Sequence, residues 1–286
     1  MPSFAPPGAL EATRLVREGR LYSLARARFR GMPVFPGHPN FEVLSYRTPQ
    51  GLRVAKEEPW GPGNEVGLGY MSELILSTSH SGAHIDALAH ITIGEDDEWF
   101  GGCARTDLGD FGPVKGDACE IPLLWTQGTL FDVPAFRGVD FLPKGEPVTA
   151  EELELVGRAQ GVEVKAGGVA LIRTGYMKHW PDPETMAAHR GPGPDISAAR
   201  WLVERGVVAT GSDTETYEVQ PAPDPGSPKN PQPVHTFLLV ERGIYIMESL
   251  DLEELARDRV YEFLFVALPL KIRGATGSMI TPVAVV

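Results

Sequence analysis

The chain has 286 residues, 42% of them hydrophobic and 22% charged, which is enough to bury a large core and unlike a disordered or fibrous sequence. Its formal charge of -12 argues against polyanionic partners, because the few basic residues of "RARFR", Arg26 to Arg30, make no stripe for a phosphate backbone. With no basic-then-apolar leader and no window near about eighteen apolar residues, we expect a cytoplasmic protein without nucleic-acid or membrane partners.

One domain over residues 1–286 is expected, since neither an internal repeat nor a break in composition divides the sequence. It opens with an N-terminal helical extension over 1–25, carried by "ALEATRLVREG". Strands follow at "FEVLSY" (41–46) and "SELILST" (72–78), then at "EIPLLW" (120–125) and "GTLFDV" (128–133). A helix from Thr149 to Gly161 is bounded by a Thr-x-x-Glu capping box and a closing glycine. "VALIRT" (169–174), a second helix from Asp195 to Gly206 and "VVAT" (207–210) come next. The last third reads as strands at "VHTFLLV" (234–240), "IYIM" (244–247), "EFLFVALPL" (262–270) and the terminal "PVAVV", with a helix at Asp251 to Asp258. Several of these strands are continuous apolar runs, as in sheets buried on both faces. The expected fold class is therefore α/β: a mixed β-sheet curling into a barrel-like core with flanking helices.

Between the second strand and residue 91 stands "TSHSGAHIDALAHI", which places His80, His84, Asp86 and His90 within eleven residues of a chain holding seven histidines. A single helix cannot aim all four at one point, since Asp86 and His90 fall on the far side from His80 and His84. A single strand cannot either, because at about 3.3 Å per residue its ends would lie roughly 33 Å apart. A strand, a turn at Gly82 and a helix start at "DALAH" capped by Asp86 can do so. His80, His84 and Asp86 then offer two imidazoles and a carboxylate to a divalent metal, and His90, one helical turn beyond, is placed to act as general acid and base.

Further ligands are expected after the proline-rich stretch 220–234, which reads as an active-site loop because its prolines exclude helix and central strand. His235 begins the next expected strand, and Glu248 ends the one after it, so a hairpin would set them side by side. Glu248 lies among apolar residues, where a carboxylate is costly unless paired or metal-bound. His38, His179 and His189 read as ordinary core or surface histidines, and Cys103 and Cys119 as plain thiols. Phe35, Trp60 and Trp99 are candidates to line a pocket for a flat ring.

"HSGAHIDALAH" resembles the HxGTHxDxPxH signature of the cyclase family of metal-dependent hydrolases, to which kynurenine formamidases and isatin hydrolase belong. "FPGHPNFE" (35–42), "TLFDV", "ALIRTGY" (170–176), "GSDTET" (211–216) and "VHTFLLVERGIYIMESL" resemble further family segments in the same order, over roughly residues 30 to 265. The resemblance implies a swivelling β/β/α fold, usually assembled as a homodimer or homotetramer. It implies that His80, His84 and Asp86 bind metal with Asp86 able to bridge two ions, that His235 and Glu248 complete the shell, and that His90 is the catalytic acid/base. The cofactor would be one or two Mn²⁺ or Zn²⁺ ions. The activity would be hydrolysis of a non-peptide amide C–N bond in a small aromatic or cyclic substrate, either isatin-like or N-formylkynurenine-like. Ala83 stands where the family has threonine and Leu88 where the formamidases have proline, so the substrate is open, and the length suits the isatin-hydrolase branch. Two other readings remain. His84, Asp86 and His235 form the pattern of an Fe(II) facial-triad oxygenase, and a catalytically inactive metal-binding scaffold would need the ligands but not His90.

Overall fold

In the computed structural model, which describes residues 8–221 and 229–286, most of the apolar runs become strands, and nine of the fifteen described strands join one sheet. In chain order the strands are β1 (Leu21–Ser23), β2 (Glu42–Arg47), β3 (Ser72–Leu76), β4 (His84–Asp86), the short β5 (Leu108–Gly109) and β6 (Gly112–Pro113), and β7 (Leu124–Asp132). They continue with β8 (Pro147–Val148), β9 (Val169–Arg173), β10 (Gly193–Pro194), β11 (Ala209–Ser212), β12 (Tyr245–Glu248), β13 (Glu262–Ala267), β14 (Gly277–Met279) and β15 (Val283–Val285). Nine of them form a single mixed sheet in the order β1-β15-β13-β7-β9-β11-β12-β4-β14, which curls into a half-barrel as expected. Its centre, β7-β9-β11-β12, is parallel, and the strands on either side run antiparallel.

Both faces of this sheet are covered, which is why β9 is buried at every position. Val169 and Leu171 point into a core with Leu130, Met247, Phe263 and Phe265. Ala170 and Ile172, facing the other way, pack with Phe131, Leu153, Val156, Leu202 and Leu238. Leu153 and Val156 come from the helix Ala150–Gln160, capped by Thr149 accepting from Glu152 N, and Leu202 from Ile196–Glu204, capped by Asp195. These two helices match expectation.

Four local expectations are corrected. "VHTFLLV" is helical, not a strand: a turn over Pro233–His235 runs into a π-helix over Thr236–Arg242, closed by Gly243. A short buried apolar run fits either structure, and here Pro233 at the first helical position and a carboxylate receiving the amides of Val234 and His235 select the helix. "DALAH" is a turn, because Ala87 N is drawn to Thr276 O and Ala89 N to Gly116 O. The split between 125 and 128 is absent, since β7 pairs with β13 straight through Gln127 and Gly128. Near the N-terminus the helix stops at Thr13, and β1 joins the main sheet.

Candidate metal centre

The carboxyl ends of the parallel strands β11 and β12 meet β4 at one end of the sheet, the place where open α/β sheets generally hold ligands. Antiparallel pairing sets Glu248, the last residue of β12, directly opposite His84, the first of β4. Asp86, two residues along β4, therefore points to the same face. His80 reaches the site from the preceding loop, its ring packed where a Cβ on Gly277 would come within 2.6 Å of it. His235 enters from the helical turn, not from a hairpin strand, yet still lies beside Glu248 as the sequence suggests.

The expected ligands converge. His80, His84 and Asp86 bring one donor atom each within 4.8 Å of one another, and so do Asp86, His235 and Glu248, so Asp86 is shared by two triads. His80 Nδ1 lies 2.8 Å from Asp86 Oδ1, and His84 Nε2 lies 3.6 Å from the same oxygen and 3.3 Å from Glu248 Oε2. His235 Nε2 is 3.2 Å from Glu248 Oε1 and 3.9 Å from Asp86 Oδ2. All five residues are buried. Asp86 Oδ2 is buried without any hydrogen-bond partner, an unfilled acceptor of the kind a cation satisfies. The donor set of imidazoles and carboxylates fits a divalent metal.

Without a metal the site is a strongly coupled acid and histidine cluster. Burial works against charge on His84 and His235, but the carboxylates outweigh it: Glu248 and Asp86 raise the pKa of His84, and Glu218 with Glu248 raises that of His235 well above the ordinary value. Asp86 and Glu248, despite burial, are held below the carboxylate range by the neighbouring imidazoles. His90 goes the other way. It stacks on His80 with ring centroids 4.1 Å apart, and burial pushes its pKa down to about 4 against the pull of Asp86.

His90 sits in the wall of a cavity of about 230 Å³ that opens onto the triads. The other walls include Val34, Phe35, Ile91, Trp180 and Met186. Of the three aromatics expected there, Phe35 is present, while Trp60 is half exposed beside Tyr70 and Trp99 packs in a small core with Ala89 and Cys103. His38 also lines the cavity, 5.9 Å from His80 between ring centroids, with a buried Nδ1 that has no partner. The sequence reading of His38 as an ordinary histidine is thereby corrected, although its neighbour Phe35 was expected at the pocket. His179 and His189 stack on each other beside Phe141. Gln232 reaches the cavity from the end of the proline-rich stretch, of which residues 222–228 lie outside the described residues.

One residue of the site went unread. Glu218, fully buried, accepts from the amides of Val234 and His235 and lies 2.5 Å from His235 Nδ1. Its signal was available: like Glu248, it is a glutamate between apolar residues, Tyr217 and Val219.

Residues 22–219 match the Cyclase family model, described as "Putative cyclase". His235 and Glu248 lie beyond the matched segment. Among solved structures, the crystal structure of a novel cyclase superposes with a TM-score of 0.85 at 27% identity, over 99% of this chain and 94% of that one. Isatin hydrolase A from Labrenzia aggregata, bound to benzyl benzoate, gives 0.66 at 21% identity over 93% of each chain. Isatin hydrolase A from Ralstonia solanacearum gives 0.67 at 20% identity, over 93% of this chain and 91% of that one. No curated protein matches the chain.

Proposed function

Since the chain belongs to the cyclase family, we propose that it is a metal-dependent hydrolase cleaving a non-peptide amide C–N bond of a small cyclic or aromatic substrate. The observation that carries this reading is the pair of triads sharing Asp86, whose Oδ2 is buried and unpartnered, with a neutral imidazole alongside. His80, His84 and Asp86 would hold one ion, and Asp86, His235 and Glu248 a second. Nitrogen and carboxylate donors suit Mn²⁺ and Zn²⁺ alike.

A bound divalent ion supplies Lewis acidity, which makes water acidic and polarises an amide carbonyl. The chain's own groups do the rest. His90, neutral at pH 7, can take a proton from water, Asp86 favours the imidazolium so formed, and a base this weak readily returns the proton to the leaving nitrogen. Phe35, Trp180, Met186 and Ile91 exclude water and offer flat apolar contact to a ring. The cavity suits a molecule of one or two rings, and isatin-like lactams or arylformamides fit that class. Metal analysis followed by a hydrolysis screen over isatin, N-formylkynurenine and other cyclic imides and lactams tests the reading. A metal-loaded protein inert to every amide would favour the inactive scaffold.

The Fe(II) oxygenase reading fares worse, because Glu248 lies within 3.3 Å of His84 and 3.2 Å of His235, adding a carboxylate where that chemistry needs open positions. The two free cysteines suit the reducing cytosol. Among the described residues, no helix is long and apolar enough to cross a membrane.

A homo-oligomer accords with an arm that the chain leaves uncovered. β2 and β3 pair only with each other, yet both faces of this ribbon are apolar: Val43 opposes Ile75 on one and Leu44 opposes Leu74 on the other. Leu74, Ile75 and Leu76 are 55%, 64% and 63% exposed. A cavity lined by Ile75, Leu268 and Leu270 continues the surface onto the main sheet. Apolar side chains exposed together in this way, Leu44 with Leu74 and Leu76 on one face and Val43 with Ile75 on the other, are the kind of surface that a protein partner covers. The net negative charge disfavours an anionic membrane as the cover, so we assign the surface to a second copy of the chain.

A further inference from the structure

Arg28, in the segment between β1 and β2, belongs to the scattered basic residues of Arg26 to Arg30 that make no stripe in the sequence. The structure buries most of it and gives it no acid: among the described residues its guanidinium faces only main-chain carbonyls. Nε donates to Ser81 O at 3.0 Å, and Nη2 donates to Ala83 O and, at 3.1 Å, to Ile280 O. A buried cation without a carboxylate is costly, and burial lowers its pKa from the ordinary arginine value. Two of its carbonyl partners, Ser81 O and Ala83 O, belong to the loop that carries the metal ligands, and the third, Ile280 O, follows β14 beside it.

The three carbonyls of that loop alternate in direction. Gly82, at φ +59°, takes the left-handed conformation that turns its peptide against its neighbours. Ser81 O and Ala83 O therefore face outward to Arg28, while Gly82 O faces inward and accepts from His84 Nδ1 at 2.7 Å. That bond places the ring proton on Nδ1 and leaves Nε2 turned toward Asp86 Oδ1 and Glu248 Oε2. The flat guanidinium fork spans both outward carbonyls at once; a lysine ammonium, a single point on a flexible stem, cannot reproduce the span.

We propose that Arg28 is a positioning residue of the metal centre: by clamping Ser81 and Ala83 it locks the inward Gly82 carbonyl, which holds His84 in the tautomer whose Nε2 is free to bind metal. This rests on the metal-site reading above. The test measures metal affinity by titration calorimetry with Mn²⁺ and Zn²⁺, and separately reads the His84 tautomer in metal-free protein at pH 9 from two-bond proton–nitrogen correlations of the ring. Arg28→Met and Arg28→Lys should each bind metal about 10–100-fold more weakly than wild type, and the ring should lose its uniform Nδ1–H state. Arg28→Lys keeps the charge and one hydrogen bond, so it guards against simple unfolding, and circular dichroism of both variants checks that the fold persists. Metal affinity within twofold of wild type in both variants, or a His84 ring that stays wholly Nδ1–H, would overturn the proposal. Should wild type itself bind no metal, the metal-site reading fails, while the tautomer measurement still decides the clamp.

Discussion

Asp86 Oδ2 lies 3.9 Å from His235 Nε2 and has no hydrogen-bond partner of its own. The other oxygen of the same carboxylate faces His80 and His84. One short strand, β4, thus presents a carboxylate that looks two ways, toward ligands in its own loop and toward ligands supplied by the far end of the chain.

Asp86→Asn should therefore disable both triads at once. Metal content by elemental analysis is expected to fall to background, whereas His80→Ala and Glu248→Gln, each in one triad only, should retain partial occupancy. Equal metal loss in all three variants would mean the triads do not act as two units.

The metal-free site holds protons that a cation must displace. His84 and His235 have raised pKa values, so their contribution to stability is complete below the unfolded value near 6.5 and fades as pH rises through the folded values. Metal binding runs the opposite way, since the ligands must be deprotonated. Metal affinity should thus keep rising with pH above 6.5, with proton release seen by calorimetry in buffers of different ionisation enthalpy. Affinity flat from pH 6 to 9 would contradict the carboxylate–histidine pairing described.

His90 should behave differently from every ligand. With its pKa pushed down to about 4, its ring proton resonances in the metal-free protein should stay flat from pH 8 to 5 and move only below that. His90→Ala should keep its metal and lose about 10²–10⁴-fold in kcat, the usual range for a general acid/base. Full activity with metal bound would remove it from the mechanism.

Glu218→Gln tests the support of His235. The carboxylate receives two main-chain amides and the imidazole Nδ1 in a fully buried place, so replacing one oxygen by an amide group leaves at least one donor facing another donor. A stability loss of about 1–3 kcal/mol by denaturant unfolding is expected, together with weaker metal binding. Unchanged stability would show that the helical turn does not depend on this carboxylate.

The part of the site legible in sequence was the part close in sequence. His80, His84, Asp86 and His90 share eleven residues, and the argument that no single element could converge them led to the turn at Gly82. The second half was legible by residue type and not by geometry. His235 and Glu248 could be named because a histidine after prolines and a glutamate among apolar residues are unusual, but the intervening apolar run does not reveal whether it is helix or strand. Glu218 was legible by the same residue-type signal as Glu248, whereas Arg28 stayed hidden because what defines it is the direction of main-chain carbonyls, which residue identity does not encode. The central strands were readable as runs buried on both faces, whereas β2 and β3, equally apolar in sequence, pair only with each other and leave Leu74, Ile75 and Leu76 exposed, which the run of residues alone does not reveal.

That ambiguity makes the arm the sharpest test of assembly. A two-stranded ribbon is marginal on its own in water, and this one leaves apolar side chains exposed on both faces. Its two ends are rooted in the cavity wall: Val34, Phe35 and His38 precede β2, and His80 follows β3. Covering the arm with a second copy would hold both roots in place. Light scattering across the micromolar range should therefore give twice or four times 31.0 kDa for the wild type. Leu74→Asp combined with Leu76→Asp puts charges on one face of the ribbon without touching the core, and should return the monomer mass with the far-ultraviolet spectrum and metal content intact. Because the roots would then be freer, KM should rise more than kcat falls. A wild type that is monomeric throughout the range, or a double variant of unchanged mass, would mean that the arm does not join copies of this chain.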